Sequence, residues 1–332
     1  MMTKRFAQQL IQRLIVAPLA VAFGVVGLAG AASAAPNDTP LKIVVPYPAG
    51  GSGDAVARML TDGLREHLGG RTVLVDNRPG ANGRIALMAL KGAPADGSTV
   101  VLAFSGVLVN SIIFQNSKEF NFRTDFAPIA QVGAMPAALA VPASHKANSI
   151  EEFVQLRRKE GDFTYGMQGS GSVSHLTGLR FATAAKMNAN PVGYQGGAPM
   201  ANDLMGSQLD AGIDTAGDFV ERHKGKKLKV LGVFGAKRFP LLPDVPTLAE
   251  QGYPGLDAEV WLGFIGHSKL PAAWSQNFQD ALKKTLDNPA TKDKIAKLLA
   301  VDYKGSEDFA KVMAKDFEVW TPVLNSLGLI NK

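Results

Sequence analysis

The sequence predicts an α/β fold, and three observations predict it. Short runs rich in Val, Ile and Leu alternate with longer runs whose apolar residues recur at helical spacing. Glycine-rich turns stop several of those strands and open the helices that follow. With 332 residues and no low-complexity tract, the chain can bury two packed lobes without covalent staples.

In chain order, Leu41-Lys42-Ile43-Val44-Val45 is a strand that stops at Pro46-Tyr47-Pro48-Ala49-Gly50-Gly51-Ser52-Gly53. A helix follows from about Asp54 to Leu68, with Ala55, Met59, Leu60, Leu64 and Leu68 at helical spacing, and Gly69-Gly70 ends it. Thr72–Val75 is the next strand and Asn77–Gly83 the next loop. Val100–Phe104 is a third strand, after which Ser105 to about Thr124 reads as irregular. Ala137–Val141 is a strand closed by Pro142. Ser149-Ile150-Glu151-Glu152 has capping-box form and starts a helix that stops near Gly161. The alternation then repeats. Phe163–Tyr165 is a strand, Gly169–Ser174 a small-residue loop, and a helix runs through His175, Leu179 and Ala182. Pro191–Tyr194 leads to another glycine turn and helix, and Leu228–Val233 is a further strand. The end is helical, with segments at Trp274–Asp287, about Ala290–Leu299, and from Ser306 onward. In the last one Phe309, Met313, Phe317 and Trp320 form a stripe that belongs to the core.

The N-terminus has the form of an export signal. Lys4, Arg5 and Arg13 precede an apolar stretch from about Leu14 to Ala31, and Ala32-Ser33-Ala34 offers the small residues a signal peptidase reads. Cleavage is expected after Ala34, with Ala35 as the alternative, which makes residues 1–34 the signal and the mature protein periplasmic. The competing reading, an uncleaved anchor, fits the small-residue end and Pro36-Asn37-Asp38 less well. The signal carries three basic and no acidic residues, so the formal charge of +6 falls near +3 in the mature chain. That is no nucleic-acid footprint, and the basic run His223–Lys227 reads as a solvated turn. With no cysteine, disulfides, thiol catalysis and a lipidated N-terminal cysteine are all excluded.

Two loops carry the functional signal, Tyr47 to Asp54 and Gly169 to His175, each following a strand and opening a helix. Glycine lets the main chain approach a ligand, and the unpaired N–H groups at a helix start favour an anion. Serine hydroxyls add donors that turn to suit the ligand. Facing each other, such loops would clamp a carboxylate with uncharged donors. Hydrogen bonds to a charged group contribute about 1.5–3 kcal/mol each, so three or four suffice for micromolar binding after the entropy of association.

Rival readings are weaker. Gly51-Ser52-Gly53 with Asp76 resembles a dinucleotide fingerprint, but Val56 stands where its third glycine belongs. The serines before His175 lack a nucleophile elbow, and a histidine on the same helix start reaches an adjacent serine poorly. The histidines, at 67, 145, 175, 223 and 267, show no metal-ligand spacing. The expectation is a protein that is not an enzyme and needs no cofactor.

Taken in order, Val45–Asp54 with Ala57-Arg58, Val75–Ala81, Ala93–Gly97, Gly169–Leu176, Tyr194–Pro199, Arg238, Leu242–Thr247 with Glu250, and Trp261–Phe264 resemble the substrate-binding proteins of tripartite tricarboxylate transporters, the Bordetella uptake gene family. The resemblance covers nearly all of the mature chain. It implies the two-lobe periplasmic-binding-protein type II (Venus-flytrap) fold, each lobe a sheet flanked by helices, with crossing strands near Ala137–Val141 and Trp261–Ile265. Lobe 1 would then combine 36–137 with 261–332, and lobe 2 would be 138–260. It further implies ligand contacts, some through bridging waters, from Tyr47, Ala49, Gly50, Gly51, Ser52, Asp54, Ser105, Gly169, Ser170, Gly171, Ser172 and His175, with Tyr194 and Asp214 approaching from the second lobe. The implied partners are a small carboxylate and the permease subunits of a tripartite transporter, or alternatively a sensor kinase to which the loaded protein presents its ligand. Asp54 would repel a carboxylate and is expected to cap its helix or to accept from a water or a ligand hydroxyl or amine. Two departures from the family pattern, Gln195 for its common lysine and Gly193 for its proline, weigh against a multiply charged ligand such as citrate.

Overall fold

The run Leu41–Val45 is apolar at nearly every position because it lies in the middle of a sheet with both faces covered. It forms β1. The computed structural model describes residues 39–115 and 118–330; the proposed export signal lies outside the described residues. Helix α1 (Ser52–His67) follows, then β2 (Val73–Asn77), a short turn of 3-10 helix, α2 (Arg84–Lys91) and β3 (Thr99–Phe104). Both β2 and β3 run parallel to β1, one on each side, as strand–helix alternation requires. Next come α3 (Gly106–Ile113), α4 (Phe122–Asp125) and the long strand β4 (Phe126–Pro142).

The middle of the chain supplies α5 (Ile150–Glu160), β5 (Phe163–Met167), α6 (Val173–Ala185), β6 (Ala189–Gly193), α7 (Gly197–Met205), β7 (Ala211–Thr215), α8 (Ala216–Lys224) and β8 (Leu228–Val233). The capping box at α5 forms, with a shift. Ser149 Oγ accepts from the Glu152 N–H at 3.1 Å, while the Glu152 carboxylate reaches back to the N–H of Asn148 at 2.7 Å. The chain ends with β9 (Glu259–His267), α9 (Ala272–Asp287), α10 (Pro289–Ile295), β10 (Ala300–Gly305) and α11 (Ser306–Ser326).

Strand β4 serves two groups of strands. Its first half lies between β9 and β10, both antiparallel to it, and β9 joins it to β3, β1 and β2. Its second half, from Ala137, lies between β7 and β8, and β7 leads on to β5 and β6 in parallel register. The prolines Pro128 and Pro136 are tolerated in so buried a strand partly through bulges, since the register against β9 slips between Pro128 and Ala130 and again between Gln131 and Gly133. The result is a mixed α/β architecture of curled sheet flanked by helices.

The late helices return to the first group of strands. Helix α1 packs on α9, close enough that a Cβ on Gly63 would lie 2.5 Å from Thr285. In α11 the aromatic stripe does face the core. Phe309, Met313 and Trp320 are buried, Trp261 meets Phe309 edge-on at 4.8 Å, and the half-buried Phe317 lies under the Arg123 guanidinium.

Two stretches differ from the expectation. The segment after Ser105 is not irregular: α3 is helical and buried on every side, so it has no amphipathic period to read. Helix α10 stops at Ile295, and Ala300–Gly305 forms β10 against β4. There the helical spacing of the preceding residues conceals a strand defined only by its partner.

Candidate functional site

Four strand-to-helix joins meet at one seam: β1 to α1, β3 to α3, β5 to α6, and β7 to α8, with the turn into α7 beside them. Within each parallel group the strand ends that open helices share one edge, which places the β1 and β3 joins together and the β5 and β7 joins together. Two small adjoining cavities lie in the seam, each about 20 Å³, little more than one water needs. Tyr47, Gly51, Ser52, Gly53, Gly197 and Asp218 line the first; Ser172, Ser174, Asp214 and Thr215 line the second; Phe104 and Gln168 belong to both. No lysine, arginine or histidine lines either one among the described residues. A larger groove of about 540 Å³ runs beside Lys224, Lys226 and Leu241–Val245, but no residue lining it holds a buried polar atom without a partner.

The two sides of the seam touch. The Ser52 N–H at the start of α1 donates to Asp218 Oδ1 on α8 at 3.2 Å. The Ser170 carbonyl accepts from the side-chain amides of Asn82 and Asn110, the latter at 3.1 Å. Gly171, at φ +76°, sits so close to Ile113 that a Cβ there would come within 2.0 Å of it. Only glycine meets both demands.

Within the first loop, Asp54 is buried but committed. Its carboxylate accepts the Gly50 N–H at 3.0 Å and pairs with Arg58. Burial opposes its charge, yet Arg58, the Gly50 N–H and Asn77 together hold its pKa below the ordinary value. Ala49 and Gly50 lie at the surface, outside the cavities. Burial, reinforced by the Asp214 and Asp218 charges, pushes the Tyr47 phenol up, so it stays protonated.

The second loop spends many of its donors on itself. Ser172 Oγ caps α6 by accepting the His175 N–H at 3.1 Å, and the Gly171 N–H donates to His175 Nδ1 at 3.0 Å. His175 thus braces the loop as a neutral imidazole, its pKa lowered by burial. Gly169 and Ser170 lie outside the cavities, with the Ser170 side chain exposed. Tyr194 turns its hydroxyl away, donating to Asp203 at 2.7 Å.

Seven buried side-chain polar atoms lack a partner among the described residues, and three of them gather at the seam: Ser52 Oγ, Ser105 Oγ and Asp214 Oδ2. Ser52 and Asp214 line the cavities, and Ser105 stands between Phe104 and Gly106, which also do. Leaving such atoms unpaired costs about 1–3 kcal/mol each, so their grouping makes the seam the candidate site. Asp214 is as deeply buried as Ser105. Its other oxygen accepts the Thr215 N–H at 2.7 Å and the Gln168 amide, while burial and then the Asp218 charge raise its pKa well above the ordinary value.

Sequence reasoning missed Gln168, Gly197 and Asp218. Gly196-Gly197 opens α7 at the glycine turn expected after Tyr194, but nothing in the sequence assigns that turn to the site. Asp218 gives no signal either, because an acid in the first turn of a helix is ordinary. Among the described residues no group of three or more His, Cys, Asp or Glu is placed to hold a metal, and no helix is long and apolar enough to cross a membrane.

Comparison with known proteins agrees with this fold. BugT of Bordetella pertussis is 31% identical over 246 residues, covering 72% of this chain and 75% of BugT. The solved periplasmic binding protein BugD superposes with a TM-score of 0.81 at 28% identity, covering 88% of this chain and 99% of BugD. A Rhodopseudomonas palustris protein solved with adipate gives a TM-score of 0.82 at 27% identity, covering 87% and 97% of the two chains. The family described as "Tripartite tricarboxylate transporter family receptor" matches residues 56–329, and the chain belongs to that family of solute-binding receptors.

Proposed function

We propose that the protein is a periplasmic receptor that captures a small carboxylate in the seam and delivers it to the membrane subunits of a tripartite transporter. The observation that carries this reading is the meeting of three unpartnered buried polar atoms, on Ser52, Ser105 and Asp214, where the joins opening α1, α3, α6 and α8 converge. In this reading residues 36–137 with 261–332 form one lobe and 138–260 the other, and they part to admit the ligand. Beyond the short cavities, the main-chain amides at the starts of α1 and α6 supply the anion-favouring field. The adipate in the R. palustris relative supports a carboxylate as the ligand class. The export signal at residues 1–34 and the periplasmic binding protein BugD support the compartment.

The ligand contacts proposed are those of the first loop around Gly51 and Ser52, Ser105, Ser172 and Asp214, with Tyr47 closing one wall. Asp54 and His175 act through the loops they brace. Purified protein is mixed with a panel of mono- and dicarboxylates, and its melting temperature is followed. A ligand at 100 times its Kd adds about 2.7 kcal/mol, a rise of several degrees. No movement with any class of carboxylate overturns the reading.

A further inference from the structure

The wall that Asp214 and Asp218 form has more acceptors than donors. Asp218 Oδ1 takes the Ser52 N–H at 3.2 Å and Oδ2 takes the Thr215 hydroxyl at 2.8 Å. Asp214 Oδ1 takes the Thr215 N–H and the Gln168 amide, which leaves Asp214 Oδ2 buried with nothing. The two carboxylates converge on one spot: a Cβ placed on Gly197 would lie 2.5 Å from Asp214 Oδ2 and 2.9 Å from Asp218 Oδ2. Arg222, one turn along α8, opposes the rise in the Asp214 pKa, but its guanidinium donates at 2.6 Å to the Asp218 carbonyl rather than to either carboxylate. Tyr47 adds a protonated phenol and no charge, and the remaining lining of both cavities is uncharged. The start of α7 at Gly197 lends some positive field, enough to ease one negative charge there but not a third carboxylate.

From this we infer that the ligand carries a hydrogen-bond donor, above all a protonated amine, at the end away from its carboxylate, and that Asp214 and Asp218 receive it. The inference rests on the carboxylate-receptor reading and narrows it to amino acids in the broad chemical sense. A second carboxylate would enter beside two acids that already face each other, an arrangement that buried like charges disfavour. An ammonium brings three donors and the opposite charge, satisfies Asp214 Oδ2, and relieves the repulsion between the two acids. In its absence the deep burial of Asp214, with Asp218 beside it, favours a proton on that carboxyl, and the ammonium would take the proton's place.

Titration calorimetry on three matched pairs tests it: 4-aminobutanoate against succinate, 6-aminohexanoate against adipate, and 4-(aminomethyl)benzoate against terephthalate. The expected result is at least tenfold tighter binding of the aminated member on whichever scaffold fits. Asp214→Asn and Asp218→Asn should each cut that advantage about tenfold or more, and circular dichroism checks that the variants fold. Since Asp218 is only half-buried, its variant keeps the test alive if Asp214→Asn misfolds. A diacid binding as tightly as its aminated partner overturns the inference and leaves the receptor reading standing. Binding confined to carboxylates without a donor, or an amine advantage that survives both substitutions, overturns it as well. Silence from every carboxylate removes the receptor reading itself.

Discussion

Ser105 is almost fully buried, and its hydroxyl has no partner among the described residues. Removing a buried hydroxyl that bonds to nothing costs little, whereas removing one that bonds to a bound carboxylate forfeits a charged hydrogen bond. Ser105→Ala should therefore leave the free protein within about 1 kcal/mol of the parent in urea unfolding. The same variant should bind its carboxylate about 10- to 100-fold more weakly, the equivalent of about 1.5–3 kcal/mol. Equal affinity of parent and variant would remove Ser105 from the contacts. Gly197 gives the complementary case. Its missing side chain is what lets Asp214 and Asp218 approach the start of α7, so Gly197→Ala should displace both acids and weaken binding by a larger factor than Ser105→Ala, measured in the same titration.

Among the elements, α11 carries a pH-sensitive contact remote from the seam. Asp316 accepts a hydrogen bond from Trp261 Nε1 at 2.6 Å, and burial raises its pKa to about 6 despite that bond. A carboxyl whose pKa is higher folded than unfolded stabilises the fold fully below the unfolded value, near 3.8, and that contribution is lost as pH rises through about 6. The loss is of order 3 kcal/mol. Asp316→Asn keeps an acceptor for Trp261 and carries no charge. The variant should flatten the Tm profile between pH 4 and 6 and melt higher than the parent at pH 7; parallel profiles would sink this account. At α5 the cap is simpler. Ser149→Ala removes the oxygen that accepts the Glu152 N–H, for a loss of about 1 kcal/mol and about 2 °C in Tm.

For the whole molecule, the proposed opening has to break the bonds that join the two sides of the seam. Asn82 and Asn110 both donate to the Ser170 carbonyl, and Ser52 donates to Asp218. Replacing both asparagines by alanine should shift the unliganded protein toward an open form, seen as a larger radius of gyration in small-angle scattering. Saturating ligand should reverse the change, because it adds bonds of its own across the seam. An unchanged radius would show that the seam is held by packing, for instance of Ile113 against Gly171.

Local chemistry was enough to reveal much of this protein. The strand at Leu41–Val45, its glycine turn and α1 are legible because each is fixed by neighbours in sequence: β-branched residues, a turn of Pro and Gly, and a helical apolar period. The same holds for α5 with its cap, for β8, and for the stripe of α11. Of the site, the loops and Ser52, Ser105 and Ser172 could be named from the sequence and the family pattern it carries. The remainder is set by partners distant along the chain. Whether Ala300–Gly305 is a strand depends on β4, and α3 has no readable period because every face is covered. Asp218 is an ordinary first-turn acid until folding carries it across the seam to the N–H of Ser52, 166 residues away in sequence. Whether a carboxylate is exposed and charged or buried beside another depends on which strands pair. The sequence alone therefore determined the α/β class and the loops able to hold an anion, while only the tertiary structure decided which acids face them.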